Sequence, residues 1–250
     1  MSTTSASTAS VPPGTRVYAV GDIHGRLDLL DRLLGMIAAY EAARPCAMTR
    51  VIFLGDYIDR GPDSRGVIER LQGGLPGGLT GHFLRGNHEA IMQSCLKGPA
   101  MFASWAANGG LATLKSYGLD AAWAADGATL LRQLRQVLPA SHLAFLRGLR
   151  TTMEVGDYFF VHAGVRPDVP LASQAEEDCL YIRETFLKHR GSFGKIVVHG
   201  HTPVSEPEVL ANRIGIDTGS FFSGRLTALR LEGTDRAFLT AEGDGRWRER

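Results

Sequence analysis

Cysteine is scarce: Cys46, Cys95 and Cys179 are the only three in 250 residues. They are far apart and odd in number, so they can build neither a disulfide framework nor a paired-cysteine zinc site, and a reducing cytoplasm suits them. Long hydrophobic runs are missing as well. None approaches the roughly 18 apolar residues needed to cross a bilayer, so no membrane partner is expected. Charge of one sign is also absent. Lys and Arg number 27 against 26 Asp and Glu, a net charge of +1. That excludes a basic chain built to neutralise nucleic-acid phosphates, and no acidic tail is present. The hydrophobic fraction of 44% with 21% charged residues is ordinary for a protein with a sizeable core. What stands out is glycine, with 30 residues, about 12% against a usual value of about 7%. Such glycine either marks disorder or supplies tight functional turns, and its placement decides between them.

Residues 1–10 are Ser/Thr/Ala-rich, with neither a basic start nor an apolar stretch. They do not read as a secretory signal, and residues 1–14 are expected to form a disordered tail. From Arg16 a pattern recurs: a short apolar run, a Gly-containing polar turn, then helical spacing. The first run is Val17–Val20, followed by a helix from Leu27 to about Glu41 whose Leu29, Leu30, Leu33, Leu34 and Ile37 share one stripe. The second is Val51–Leu54 with a helix from about Arg65 to Leu71, and the third is His82–Leu84 with a helix from His88 to Leu96. Short apolar strands alternating with helices indicate an α/β protein. Residues 97–149 have helical spacing broken at Pro139, and read as a small helical cap inserted into a single domain over 15–250. Strands are expected at 151–155, 158–161, 195–198, 209–216, 226–231 and 237–240, with one clear helix from Ala175 to Leu187.

The chemistry lies in the turns. They read GDIHG (Gly21–Gly25), GDYIDRG (Gly55–Gly61), GNHE (Gly86–Glu89), HAG (His162–Gly164) and HGHT (His199–Thr202), each directly after an apolar run. In open α/β sheets, ligands bind beyond the carboxyl ends of strands, so five such turns can converge on one point. In extended chain, residues two apart point to the same side, which makes Asp22 and His24 a two-toothed clamp. Adding Asp56 gives a first divalent metal three ligands. Asn87, His162 and His201 offer an amide oxygen and two imidazoles for a second metal, with Asp56 as the natural bridge. Two metals about 3.5–4 Å apart form a clamp for in-line displacement at phosphorus. Two dications offset by two carboxylates and a bridging hydroxide leave about +1 before Arg60 is counted, so a phosphate dianion is attracted. Of the eight histidines, five lie in these turns. The remaining three, His82, His142 and His189, read as ordinary surface or core residues, and Cys95 and Cys179 as packed thiols.

The five turns, in this order, resemble the motif series of the phosphoprotein phosphatase family of metallophosphoesterases over residues 16 to about 231. The resemblance implies a β-sandwich flanked by helices, with a binuclear metal centre at the strand ends. It gives the first metal Asp22, His24 and Asp56, and the second Asp56, Asn87, His162 and His201. It also implies that Arg60 and Asn87 bind the substrate phosphate, and that His88, supported by Asp59, protonates the leaving oxygen. Arg183, in the segment Leu180–Arg183, matches the place where bacterial members carry a second phosphate-binding arginine. Pro203 stands where broader metallophosphoesterases carry a last histidine, which favours the phosphoprotein phosphatase branch. His199, two residues before His201 on the same strand face, is an alternative ligand. Trp105, the run Asn108-Gly109-Gly110 and Thr113–Gly118 resemble bacterial relatives.

The implied activity is metal-dependent hydrolysis of phosphoserine and phosphothreonine in proteins, with phosphotyrosine and small phosphoesters as further substrates. The rival is hydrolysis of dinucleoside polyphosphates. The Asp59–Arg60 pair and Glu89 favour the monoesterase, since symmetrical tetraphosphatases usually lack that aspartate and carry aspartate in place of the glutamate. Manganese is the expected activator, with iron or zinc compatible with a donor set lacking thiolate.

Overall fold

A computed structural model of the chain describes residues 8–120 and 126–243. Strand β1 (Thr15–Val20) is buried along its whole length, because both of its faces are covered. Val17 and Ala19 point to one side, while Tyr18 and Val20 point to the other, the two-residue alternation of a strand. It pairs in parallel with β2 (Met48–Phe53), which in turn pairs in parallel with β3 (Thr80–Phe83). The crossovers are helices α1 (Leu27–Ala43) and α2 (Ser64–Gln72). The α1 stripe is buried as its spacing predicts. In α2, the Asp63 side chain caps the first turn by accepting from the Gly66 amide at 2.7 Å.

The antiparallel hairpin β9 (Arg225–Glu232) and β10 (Asp235–Glu242) completes the first sheet on the other side of β1, giving the order β10-β9-β1-β2-β3. The second sheet has the order β4-β5-β6-β8-β7. Its strands are β4 (Thr152–Val155), β5 (Tyr158–Val161), β6 (Ile196–His199), β7 (Glu208–Val209) and β8 (Arg213–Gly215). The two sheets face one another across Val17, Ala19, Ile52, Leu54, Tyr158, Phe160, Val198, Ile214 and Leu229. Burying such a side chain fully contributes about 1.5–3 kcal/mol. The result is the helix-flanked β-sandwich expected from the motifs.

The outer face of the first sheet packs on α1, α2 and α3 (Asn87–Lys97). Helices α4 (Phe102–Trp105), α5 (Leu111–Ser116), α6 (Gly127–Val137) and α7 (Ala140–Arg147) follow along the segment after Lys97. Their Trp105, Leu114, Leu130, Leu134 and Leu146 join that same hydrophobic cluster. The second sheet is covered by α8 (Glu176–Tyr181) and α9 (Glu184–Leu187), through Cys179 and Phe186. No helix among the described residues is long and apolar enough to cross a membrane.

Three local expectations are corrected. The helix expected over 175–187 is two short helices broken at Ile182 and Arg183, where the backbone leaves helical angles. The strand expected over 209–216 is the antiparallel pair β7 and β8 joined by a turn. The stretch before β1 is anchored at two residues rather than disordered throughout: Val11 is buried between the sheets and its amide donates to the Gly233 carbonyl, and the Ser10 amide donates to Asp157. Residues 1–7 of the expected tail lie outside the described residues.

Candidate metal centre and phosphate cleft

The carboxyl ends of β1, β2 and β3 carry the turns with Asp22 and His24, with Asp56 to Arg60, and with Asn87 to Glu89; β5 and β6 bring His162 and His201. Both sheets therefore feed one edge. Six non-glycine residues among those described have positive φ, and five of them are His24, Asp56, Asp59, Arg60 and His201. Residues held in that region cost of order 1–3 kcal/mol each and persist only where the surroundings fix them. Here Glu89 supplies much of the fixing. Its fully buried carboxylate accepts from the amides of Asp56 (2.9 Å), Tyr57 (2.8 Å) and Gly86 (2.9 Å). It thus locks two motif turns together, a role the sequence did not assign to it. Gly86 is required by proximity, since a Cβ there would lie 2.1 Å from Asp56 Oδ1.

Asp56 lies between two groups of possible ligands, His24/Asp56/His88 and Asp56/His162/His201. Its Oδ2 is 3.5 Å from His24 Nε2, and its Oδ1 is 3.5 Å from His162 Nε2. The tautomers follow from the backbone. His24 Nδ1–H donates to the Ile58 carbonyl at 2.8 Å, and His162 Nδ1–H donates to the Leu54 carbonyl at 3.0 Å. Each Nε2 is then left with a lone pair facing the centre. His162 Nε2 is also 2.9 Å from Asn87 Oδ1 and 3.2 Å from His201 Nδ1. Acceptors aimed at acceptors in a buried site call for a cation. Buried His201 Nε2 has no hydrogen-bond partner.

Electrostatics agree with this arrangement. Burial lowers the pKa of His24, His162 and His201, so the imidazoles are neutral, as metal ligands must be. Burial alone would raise the Asp56 pKa, but the net direction is downward, because any proton carried by His162, His88, His24 or His201 favours the ionised carboxylate between them. These residues can therefore hold divalent metal ions.

The structure also sorts the other expected residues. Asp22 is buried but its carboxylate accepts from the His201 amide, at 3.1 and 3.2 Å, and it is not among the grouped donors around Asp56. Burial, then Asp217 and Asp56, raise its pKa. Asp217, buried nearby and given no role by the sequence, is an added carboxylate beside it. His199, the alternative ligand, packs against Phe186, and its Nε2 lies 3.2 Å from Arg213 Nη1 rather than at the centre.

His88 Nδ1 lies 2.7 Å from Asp59 Oδ2, while its Nε2 lies 3.8 Å from Asp56 Oδ2. Burial acts to lower the His88 pKa, but Asp56 and the Asp59 hydrogen bond outweigh it and the net shift is upward. Arg60 Nη1 lies 2.9 Å from His24 Nε2, with its guanidinium 4.8 Å from the Phe221 ring. Together Asp56, Arg60, Asn87, His88, Arg183 and His201 line one cleft of about 560 Å³, with Pro203, Phe221 and Phe222 at its wall. Arg183 sits at the break between α8 and α9, and its Nη1 lies 3.4 Å from Thr202 Oγ1. Its direction into the cleft depends on the helix break that the sequence did not reveal.

Comparison with known proteins points the same way. A family model described as calcineurin-like phosphoesterase matches residues 15–221. The asymmetrical bis(5′-nucleosyl)-tetraphosphatase PrpE of Anoxybacillus flavithermus is 30% identical over 234 residues, covering 84% of this chain and 88% of that protein. Serine/threonine-protein phosphatase 1 of Salmonella typhimurium is 29% identical over 224 residues, covering 86% and 92%. A crystal structure of a provisionally assigned diadenosine tetraphosphatase shares the fold, with a TM-score of 0.62 at 22% identity over 94% of this chain and 98% of that one. The resemblance first carried by the five turns is thus borne out over most of the chain. With the sandwich, the buried donor groups and the match over residues 15–221 in agreement, the chain belongs to the calcineurin-like phosphoesterase family and is a metallophosphoesterase hydrolase.

Proposed function

We propose that the protein is a phosphomonoesterase that removes phosphate from phosphoserine and phosphothreonine, with two divalent metal ions held by Asp22, His24, Asp56, Asn87, His162 and His201. The reading is carried by one observation: the buried His88–Asp59 pair at 2.7 Å, with His88 on the wall of the cleft. A serine alkoxide is a strong base and needs a proton as it leaves, whereas the phosphate leaving groups of a dinucleoside polyphosphate are weak bases and need little help. A fixed acid is therefore most useful to the monoesterase.

Bound metal supplies Lewis-acid charge at phosphoryl oxygen and lowers the pKa of water. The carboxylate, amide and imidazole donors suit manganese, iron or zinc, and manganese is the expected activator. Arg60 and Arg183 hold the phosphate oxygens through charge-assisted hydrogen bonds, and Asn87 adds an amide. Asp59 orients the His88 imidazole by fixing Nδ1, which leaves Nε2 to hand a proton to the departing oxygen. Phe222, 53% exposed on the cleft wall, offers an apolar surface to the residues flanking a phosphorylated side chain.

The second reading is hydrolysis of dinucleoside polyphosphates, favoured by the 30% identity to a tetraphosphatase. The two are separated by turnover of a phosphoserine peptide, a phosphotyrosine peptide and diadenosine tetraphosphate with manganese. We expect kcat/KM on the phosphoserine peptide to exceed that on diadenosine tetraphosphate at least tenfold or so. The reverse order replaces the first reading with the second.

The arginines give a separate test. Replacing Arg60 or Arg183 with alanine should weaken inhibition by phosphate and vanadate about tenfold or more while metal content is unchanged, because a hydrogen bond to a charged group contributes about 1.5–3 kcal/mol. Unchanged inhibition in Arg183→Ala removes that residue from the site.

A further inference from the structure

The helices after Lys97 do more than cover the site. We propose that Trp105 and Thr113, at the end of α4 and within α5, are positioning residues of the acid machinery that fix the Asp59 carboxylate and, through it, the His88 imidazole. The inference rests on the reading of His88 as general acid.

Asp59 is fully buried, and its oxygens are shared among three donors. His88 Nδ1 lies 2.7 Å from Oδ2. The Trp105 indole N–H reaches both oxygens, at 2.9 Å to Oδ2 and 3.1 Å to Oδ1. The Thr113 hydroxyl donates to Oδ1 at 2.6 Å and accepts from the Asp59 amide at 2.9 Å. A carboxylate has about four lone-pair sites. With these contacts the group cannot rotate without losing a charge-assisted bond, so the imidazole it holds keeps one orientation. Asp59 itself has φ 71°, a conformation that needs such restraint.

The glycine run between the two helices serves the same end. A Cβ on Gly110 would lie 2.6 Å from the indole ring, so only glycine lets Trp105 sit over it. Gly109, at φ +100°, turns its carbonyl to accept from the Arg60 amide at 3.1 Å. One turn therefore seats the indole on Asp59 and pins the main chain of the neighbouring arginine. Packing alone would be met by phenylalanine at position 105; the indole N–H is what the carboxylate uses.

Trp105→Phe keeps the ring and removes the donor, Thr113→Val keeps the shape and removes the hydroxyl, and Thr113→Ser restores it. Each is measured with manganese on a phosphoserine peptide and on p-nitrophenyl phosphate, with metal content by elemental analysis and with His88→Asn in parallel. Trp105→Phe and Thr113→Val are expected to lower kcat on the peptide about tenfold, with KM within about twofold, since each removes a hydrogen bond to a charged group. On p-nitrophenyl phosphate the loss should be no more than about threefold, metal content should hold, and Thr113→Ser should recover most of the peptide activity. Equal losses on both substrates, or no loss in either variant, overturn the proposal. A leaving-group bias in His88→Asn that is missing from both other variants overturns the positioning role and leaves the acid in place. No bias in His88→Asn overturns both. Should Trp105→Phe fail to fold, the Thr113 pair decides.

Discussion

Asp56→Asn is expected to lose metal and to lower turnover by roughly three orders of magnitude. The two oxygens of Asp56 face different imidazoles, His24 on one side and His162 on the other, each at 3.5 Å. It is the one carboxylate common to both groups of donors. An amide is nearly the same shape, and its oxygen can still accept from the His88 amide, which now donates to Asp56 Oδ1 at 3.1 Å. The fold should therefore survive, as circular dichroism would show. What disappears is the negative charge between the imidazoles. Metal per chain is the deciding measurement. Near-normal occupancy with near-normal turnover in this variant would exclude a centre bridged by Asp56.

The second large effect concerns His88. A positioned histidine contributes about 10²–10⁴-fold to a step in which a basic oxygen must be protonated. His88→Asn should cost that much on a phosphoserine peptide and far less on p-nitrophenyl phosphate, whose leaving group departs nearly unaided. Asp59→Asn should show the same bias more weakly, because that residue only orients and charges the ring. His88 is also one of the three side chains in the first donor group, which offers a competing role. If it served mainly as a metal ligand, both substrates would lose activity equally and metal content would fall. Equal losses with full metal content would instead mark His88 as a contact to the phosphate itself.

Much of the site was legible because its residues are concentrated in short turns after apolar strands. Asp22 with His24, Asp56 with Asp59 and Arg60, and Asn87 with His88 each lie within five consecutive residues. Local spacing and strand alternation were sufficient to place them at one sheet edge. The supports of the site left no such trace. In the sequence Glu89 is distinguished only as a departure from symmetrical tetraphosphatases, although its carboxylate ties the Asp56 turn to the start of α3. Trp105 and Thr113 lie 46 and 54 residues from Asp59, too far for any local pattern to connect them.

The sequence by itself determined the class of fold, the alternation of β1, α1, β2, α2 and β3, and the chemical kind of the centre. Those follow from periodicity and from residue types whose chemistry does not depend on neighbours. Tertiary structure alone decided that Asp22 turns onto the His201 amide and that His199 packs on Phe186 away from the cleft. It also decided the break that brings Arg183 to the rim. The physical reason is contact between segments far apart in sequence. Asp22 is held by the His201 amide and His199 by Phe186 and Arg213, while Arg183 is directed by backbone bent out of a helix, and none of these leaves a local pattern.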